Sequence, residues 1–118
     1  MSVRVEKNGA VTTVIHSRAE ARNAMDPDSA DALTAAFLAF DADPQASVAV
    51  FWGEGGAFCA GWDLKEASNL VGRVDPLAEF DFGDDDAAVP RGPMGPSRLA
   101  LSKPVIAAVA GPAVAGGF

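Results

Sequence analysis

Apolar and polar residues alternate at the start of the chain. Val3 and Val5 form one run, and Val11, Thr13 and Ile15 form a second, with Asn8-Gly9 between them. Two alternating runs around Asn-Gly predict a β-hairpin. A loop from Ser17 to Met25 follows. Asp26-Pro27-Asp28 then has the form of a helix start: an N-cap, a proline in the first turn, and a carboxylate at the positive dipole end. Ala30, Leu33, Phe37 and Phe40 fall at helical spacing and predict one buried stripe. Asp41-Ala42-Asp43-Pro44 should end the helix. Ser47 to Trp52 is short and nearly all apolar, which predicts a strand covered on both faces.

After Trp52 the pattern becomes irregular. Gly53-Glu54-Gly55-Gly56 is a turn, and Asp63 is placed to cap a short helix reaching about Leu70. Between Val71 and Pro96 the composition shifts. Six acidic residues lie between Asp75 and Asp86, followed by Pro90, Gly92, Pro93, Gly95 and Pro96. The expectation is a long, mobile insertion. Ser97 to Ser102 has room for one helical turn. Pro104 to Val109 is expected to be a second buried strand, and Ala110 to Phe118 is small and glycine-rich. A Gly-Gly pair after a strand ordinarily leads into a helix or ligand loop. The sequence stops inside that motif, so the expectation is a fragment of a larger domain.

A length of 118 residues suits one domain, long enough to bury a core. The elements alternate as in an α/β protein. Nine basic against sixteen acidic residues give a net charge of −7, which argues against nucleic acid and anionic membranes as partners. The chain has one cysteine and one histidine, so an intrachain disulfide, a thiolate cluster and a multi-histidine metal site are excluded. No apolar run approaches the roughly 20 residues of a membrane span. Met1 to Lys7 carries no apolar signal core, so the default location is a reducing cytoplasm.

Two strand-to-glycine-rich turns, Val48 to Gly61 and Val105 to Gly117, are the chief candidates for chemistry. Backbone amides at such turns can converge on one anion. Neither turn is a dinucleotide or phosphate-loop fingerprint, because Phe58 stands where a third glycine is needed and no Gly-Lys-Ser/Thr follows. Tight turns in an α/β fold account for the glycines equally well. Cys59 has no base beside it and reads as packing. His16 ends a strand and reads as structural or solvated. Glu66 and Glu79 sit in no motif. The run from Asp81 to Asp86 lacks the spacing of a calcium loop and reads as a solvated segment.

Three blocks together say more. Residues 17–25 (SRAEARNAM), 55–65 (GGAFCAGWDLK) and 102–117 (SKPVIAAVAGPAVAGG) resemble, in order and separation, the N-terminal blocks of the enoyl-CoA hydratase/isomerase (crotonase) family. The resemblance runs through the whole chain but covers only the first half of a family member. It implies a crotonase-like (ClpP/crotonase) spiral of β-β-α units, here truncated, assembled as trimers or pairs of trimers. It also implies an acyl-CoA substrate, no separate cofactor, and a role in fatty acid metabolism. In the implied chemistry two backbone amides, those of Trp62 and Gly116, receive the oxyanion of a thioester enolate. Contacts to coenzyme A carry over to Ala21, Arg22, Ala24, Ala60, Asp63, Leu64 and Lys65, with Arg18, Arg22 and Lys65 offsetting the acidic net charge near its phosphates.

The chain departs from the family pattern in two places. Trp62 stands where a small residue is common, and its indole is expected to shorten or flatten the acyl pocket. Pro112 replaces a more usual aromatic residue or histidine. The first catalytic glutamate of the pattern would follow Phe118 and the second acid lies further on. The implied reaction is addition of water across the 2,3-double bond of an enoyl-CoA. Isomerase, hydrolase and decarboxylase chemistry stay open within the same fold. The alternative from another class is a non-catalytic CoA-binding or partner-binding fragment.

Overall fold

The computed structural model describes residues 2–65 and 94–118. The chain opens with an antiparallel hairpin of β1 (Val3–Asn8) and β2 (Val11–His16). Gly9 takes a left-handed φ of +60° at its tip, a conformation glycine adopts without a steric cost. Helix α1 (Pro27–Ala42) follows, then β3 (Val48–Gly53) parallel to β2, and β4 (Val105–Ala108) parallel to β3. The sheet order is β1-β2-β3-β4. A β-β-α unit thus runs into a parallel sheet, as the residue pattern predicts. No helix among the described residues is long and apolar enough to cross a membrane.

Helix α1 begins where the sequence places it. The Asp26 carboxylate accepts the Ser29 amide at 2.8 Å, satisfying one of the donors left unpaired at a helix start. Burial alone would raise the Asp26 carboxyl, but its bonds from Ser29 and the nearby Arg18 charge hold it below the usual range. Ala30, Leu33, Phe37 and Phe40 are all buried and meet Val14 and Ala49 of the sheet. Phe51 joins Phe37 and Phe58 in two edge-on ring contacts, each with centroids 5.2 Å apart, the geometry that the ring quadrupoles favour.

The C-terminal end of α1 is tied to the start of β4. Asp41 Oδ1 accepts the backbone amides of Ser102 and Lys103 at 2.9 and 3.0 Å. Lys103 Nζ donates to the carbonyls of Phe40 and Asp43 and lies 5.5 Å from the centre of the Phe40 ring. A cation on the last carbonyls of a helix satisfies unpaired acceptors and suits the negative dipole end.

Three sequence expectations need correction. In β2 the buried residues are Thr12, Val14, Ile15 and His16, while Val11 is exposed. The strand lies inside the sheet, between β1 and β3, so simple alternation does not describe it. In β3 only Ala49 and Gly53 are buried, and the rest are half-covered. The strand Val105–Ala108 is not buried: Val105 and Ile106 are 37% and 58% exposed, and Val109 beyond it is 56% exposed. It is the edge of the sheet, and α1 packs on β1 and β2 instead. The turn expected over Ser97 to Ser102 is a 3₁₀ turn, Pro96–Arg98. The helix to Leu70 beyond Lys65, and the insertion up to residue 93, lie outside the described residues.

Candidate functional site

Strand β3 ends at Gly53, and the chain reverses so sharply that the Phe58 and Ala57 carbonyls fold over it. A β-carbon at Gly53 would collide with both. After the turn, residues 58 and 59 run beside the segment that follows β4. The amides of Phe58 and Cys59 donate to the Pro112 carbonyl at 2.9 and 3.3 Å, and Val114 N donates to the Cys59 carbonyl at 3.0 Å. The two glycine-rich turns, far apart in sequence, are therefore joined by a short parallel bridge between Cys59 and Ala113.

Their contact is close because it is made of glycine. A β-carbon at Gly61 (φ +95°) would lie 3.2 Å from the Val114 carbonyl oxygen, 3.3 Å from Ala115 Cβ and 3.7 Å from Gly116 N. Gly117 nests against Cys59, where a β-carbon would strike the Cys59 carbonyl. The Trp62 amide is bonded directly to Gly61, so the chain segments that carry the Trp62 and Gly116 amides are in contact.

The loop of residues 17–25 closes on the same region. Met25 N donates to the Gly61 carbonyl at 2.6 Å, and Asp63 N donates to the Met25 carbonyl at 2.7 Å. Arg22 and Asn23 both adopt left-handed φ, +53° and +57°. Asn23 is fully buried, and it is the side chain that holds this loop in place. Its Oδ1 accepts the Arg18 amide at 2.6 Å, and its Nδ2 donates to the carbonyls of Glu54 and Ala57 at 2.8 and 2.6 Å. The sequence reading passed over Asn23. The available signal was an asparagine, a residue that tolerates left-handed backbone, in the middle of a structured loop.

Arg18 also differs from expectation. Its side chain is 17% exposed and points inward. Nη1 donates to the Ala24 carbonyl at 2.7 Å, Nη2 to Asp63 Oδ2 at 2.9 Å, and Nε lies 3.5 Å from Asp26 Oδ2. Its charge is balanced internally and does not face solvent. Asp63 joins this pair and also accepts the Lys65 amide at 2.9 Å, as expected of a residue capping the next segment. Ala21 and Ala60 are half-buried, Ala24 is buried, and Arg22, Leu64 and Lys65 are exposed. Leu64 is 80% exposed, an unusual setting for a leucine.

Cys59 is buried, its Sγ 3.9 Å from the Gly61 carbonyl, and burial pushes its thiol up from the ordinary range. Thiolate chemistry is disfavoured there. The side chain forms part of an apolar cleft of about 450 Å³ with Phe37, Phe51, Phe58, Met94 and Gly116. Trp62 is not among the residues of that wall, so its indole does not shape this cleft.

His16 is 1% exposed and neither ring nitrogen has a hydrogen-bond partner. Burial, and then the neighbouring Arg18 charge, push its pKa down, against weaker opposite pulls from Asp26 and Glu20. The folded chain holds His16 neutral, so below about pH 6.5 the unfolded state binds one proton more than the folded state. Stability should therefore fall as pH drops from 6.5 toward 5, at up to about 1.4 kcal/mol per pH unit from this group. Urea melts across that range test it, with His16→Leu expected to flatten the profile. A wild-type profile already flat there would contradict the assignment.

Comparison with known proteins agrees with this geometry. The family model for enoyl-CoA hydratase/isomerase matches residues 6–118. Enoyl-CoA hydratase EchA19 of Mycobacterium tuberculosis is 38% identical over 120 residues, covering 96% of this chain and 40% of that protein. A carnitinyl-CoA dehydratase of Salmonella arizonae is 40% identical over 119 residues, covering 99% and 41%. The crystal structure of a probable enoyl-CoA hydratase/isomerase from Mycobacterium abscessus superposes with a TM-score of 0.77 at 36% identity, over 98% of this chain and 40% of that one. The chain spans about two-fifths of the length of these relatives.

Proposed function

The chain belongs to the enoyl-CoA hydratase/isomerase family, and from that premise we propose that it forms the thioester-binding part of an enoyl-CoA hydratase site. The observation that carries the reading is the junction of the two glycine-rich turns, where Gly61 meets Val114 and Gly116 without room for a β-carbon. In this reading the Trp62 and Gly116 amides donate to the thioester oxygen. Charge builds on that oxygen as water adds to the 2,3-double bond, and fixed donors stabilise it more in the transition state than in the ground state. One such donor is worth about 3 kcal/mol.

The coenzyme A moiety lies along the two segments joined at Met25 and Trp62. Ala21, Ala24 and Ala60 offer small, close-packed backbone, and Leu64 offers an exposed apolar surface. Arg22 and Lys65 are the exposed cations there, suited to phosphate groups. Arg18 and Asp63 act as positioning residues, because each is engaged in the other's ion pair. Family members of full length are oligomers in this reading, and trimers or hexamers are the expected assemblies.

Binding and turnover separate cleanly in a test. The 118-residue polypeptide contains oxyanion donors but no acid or base placed beside them by the family pattern, and donors alone do not activate water. Calorimetry should show saturable binding of an acyl-CoA, while crotonyl-CoA is not hydrated. Absence of binding to any CoA thioester would overturn the site. Hydration at the rate of a full-length relative would overturn the division between donors and acids.

A further inference from the structure

Met94 occupies the space that Gly116 leaves by having no side chain. A β-carbon on Gly116 would lie 3.0 Å from Met94 Cγ, 3.1 Å from Sδ and 3.5 Å from Cε. The thioether therefore covers the Gly116 backbone while its flank lines the 450 Å³ cleft and packs on the core. The backbone after Met94 is held firmly. Gly95 has a left-handed φ of +74° and is pressed on α1, where a β-carbon would stand 2.6 Å from the Ala30 carbonyl oxygen and 3.0 Å from Ala30 Cα. Pro96 then opens a 3₁₀ turn. Met94 is thus fixed at a wall of the cleft by a contact that only glycine at position 95 allows.

The chemistry of the wall narrows what fits. Three phenylalanines, Leu99, Leu101 and Met94 make it largely hydrocarbon. Among the described residues no carboxylate lines it, and its one charged group is Lys103, whose amine is held on helix carbonyls. A cationic acyl group would find no counter-charge there and would meet a like charge. We propose that this cleft receives an uncharged aliphatic acyl chain and that Met94, packed on Gly116, sets the length of chain it accepts. The inference rests on reading Gly116 as an oxyanion donor, since that places the thioester carbonyl at the cleft's inner end.

The test is a binding series on the 118-residue chain with free CoA and butyryl-, octanoyl- and lauroyl-CoA. Wild type is compared with Met94→Ala, Met94→Leu and Met94→Phe, each first shown to melt cooperatively. Affinity in the wild type should rise with chain length and then level off. Met94→Ala removes three heavy atoms, so the plateau should move to longer chains, with roughly tenfold tighter binding of the longest. Met94→Phe should move it to shorter chains, Met94→Leu should leave it in place, and free CoA should bind all four proteins alike. If wild type shows the length dependence but neither Ala nor Phe moves it, Met94 does not set length, and the site itself stands. If wild type binds free CoA and every thioester equally, the cleft takes no acyl chain; a surface covered by another protein segment would give that result. An acyl-CoA ending in a trimethylammonium group that binds as tightly as its neutral isostere would overturn the uncharged class.

Discussion

Arg18→Met is expected to destabilise the folded chain by about 3 kcal/mol, the low end of what breaking a buried ion pair costs. The Arg18 side chain is 17% exposed, and its partners Asp63 and Asp26 are 11% and 19% exposed. Methionine keeps the length and apolar stem but removes the charge. Two carboxylates then share one poorly solvated region without the guanidinium that lies between them. The Ala24 carbonyl also loses its donor, and Asp26 is the cap of α1, so strain there reaches the helix. Arg18→Lys should recover only part of the loss, because a single ammonium cannot reach two carboxylates and a carbonyl in one plane. Adding Asp63→Asn to Arg18→Met should restore stability relative to the single variant, since it removes one of the stranded charges. Urea denaturation at neutral pH measures all three. A loss below 1 kcal/mol would mean that the pair behaves as an exposed one.

Arg18 also shows where sequence reading stops. As a basic residue in a loop near a proposed anion site, it was expected to face phosphate. Its actual partners come from 6, 8 and 45 positions away, and nothing in the local pattern marks Asp63 as one of them. The hairpin, the cap at Asp26 and the stripe Ala30–Leu33–Phe37–Phe40 were legible because each depends on neighbours within a few residues. Exposure of β4 was not legible, because an apolar run states that a strand prefers cover but not which layer supplies it. The meeting of the two glycine-rich turns lies between these cases. Glycines at 61, 116 and 117 indicated close approach of something, and the family resemblance named one another's backbone as that something. Met94 and Gly95 were hidden for a different reason: the string Gly-Pro-Met-Gly-Pro reads as the end of an irregular segment, and only the contact with Ala30 shows that it is anchored.

Trp62→Pro carries the largest expected effect on catalysis, at least a hundredfold loss of rate in a longer protein that continues this chain to the length of its relatives. The argument begins with the bridge to Met25. Met25 bonds to the carbonyl of residue 61 and the amide of residue 63. In parallel pairing of that kind, the middle residue directs its own N–H and C=O away from the partner strand. Proline at position 62 therefore leaves both bonds to Met25 chemically possible and removes only the donor that the proposed oxyanion site requires. Trp62→Ala keeps that donor. It should retain most of the rate, and it should leave acyl-length preference unchanged, because the indole is absent from the wall of the cleft. This reverses the expectation from sequence, where the bulk of Trp62 was assigned the role that the structure offers to Met94. Trp62 is half-buried, so both variants need a cooperative melt before their rates are compared. If Trp62→Ala folds normally and is as slow as Trp62→Pro, the amide is not the working group. If it folds normally and shifts chain-length preference as Met94→Ala does, the indole shares the acyl wall after all.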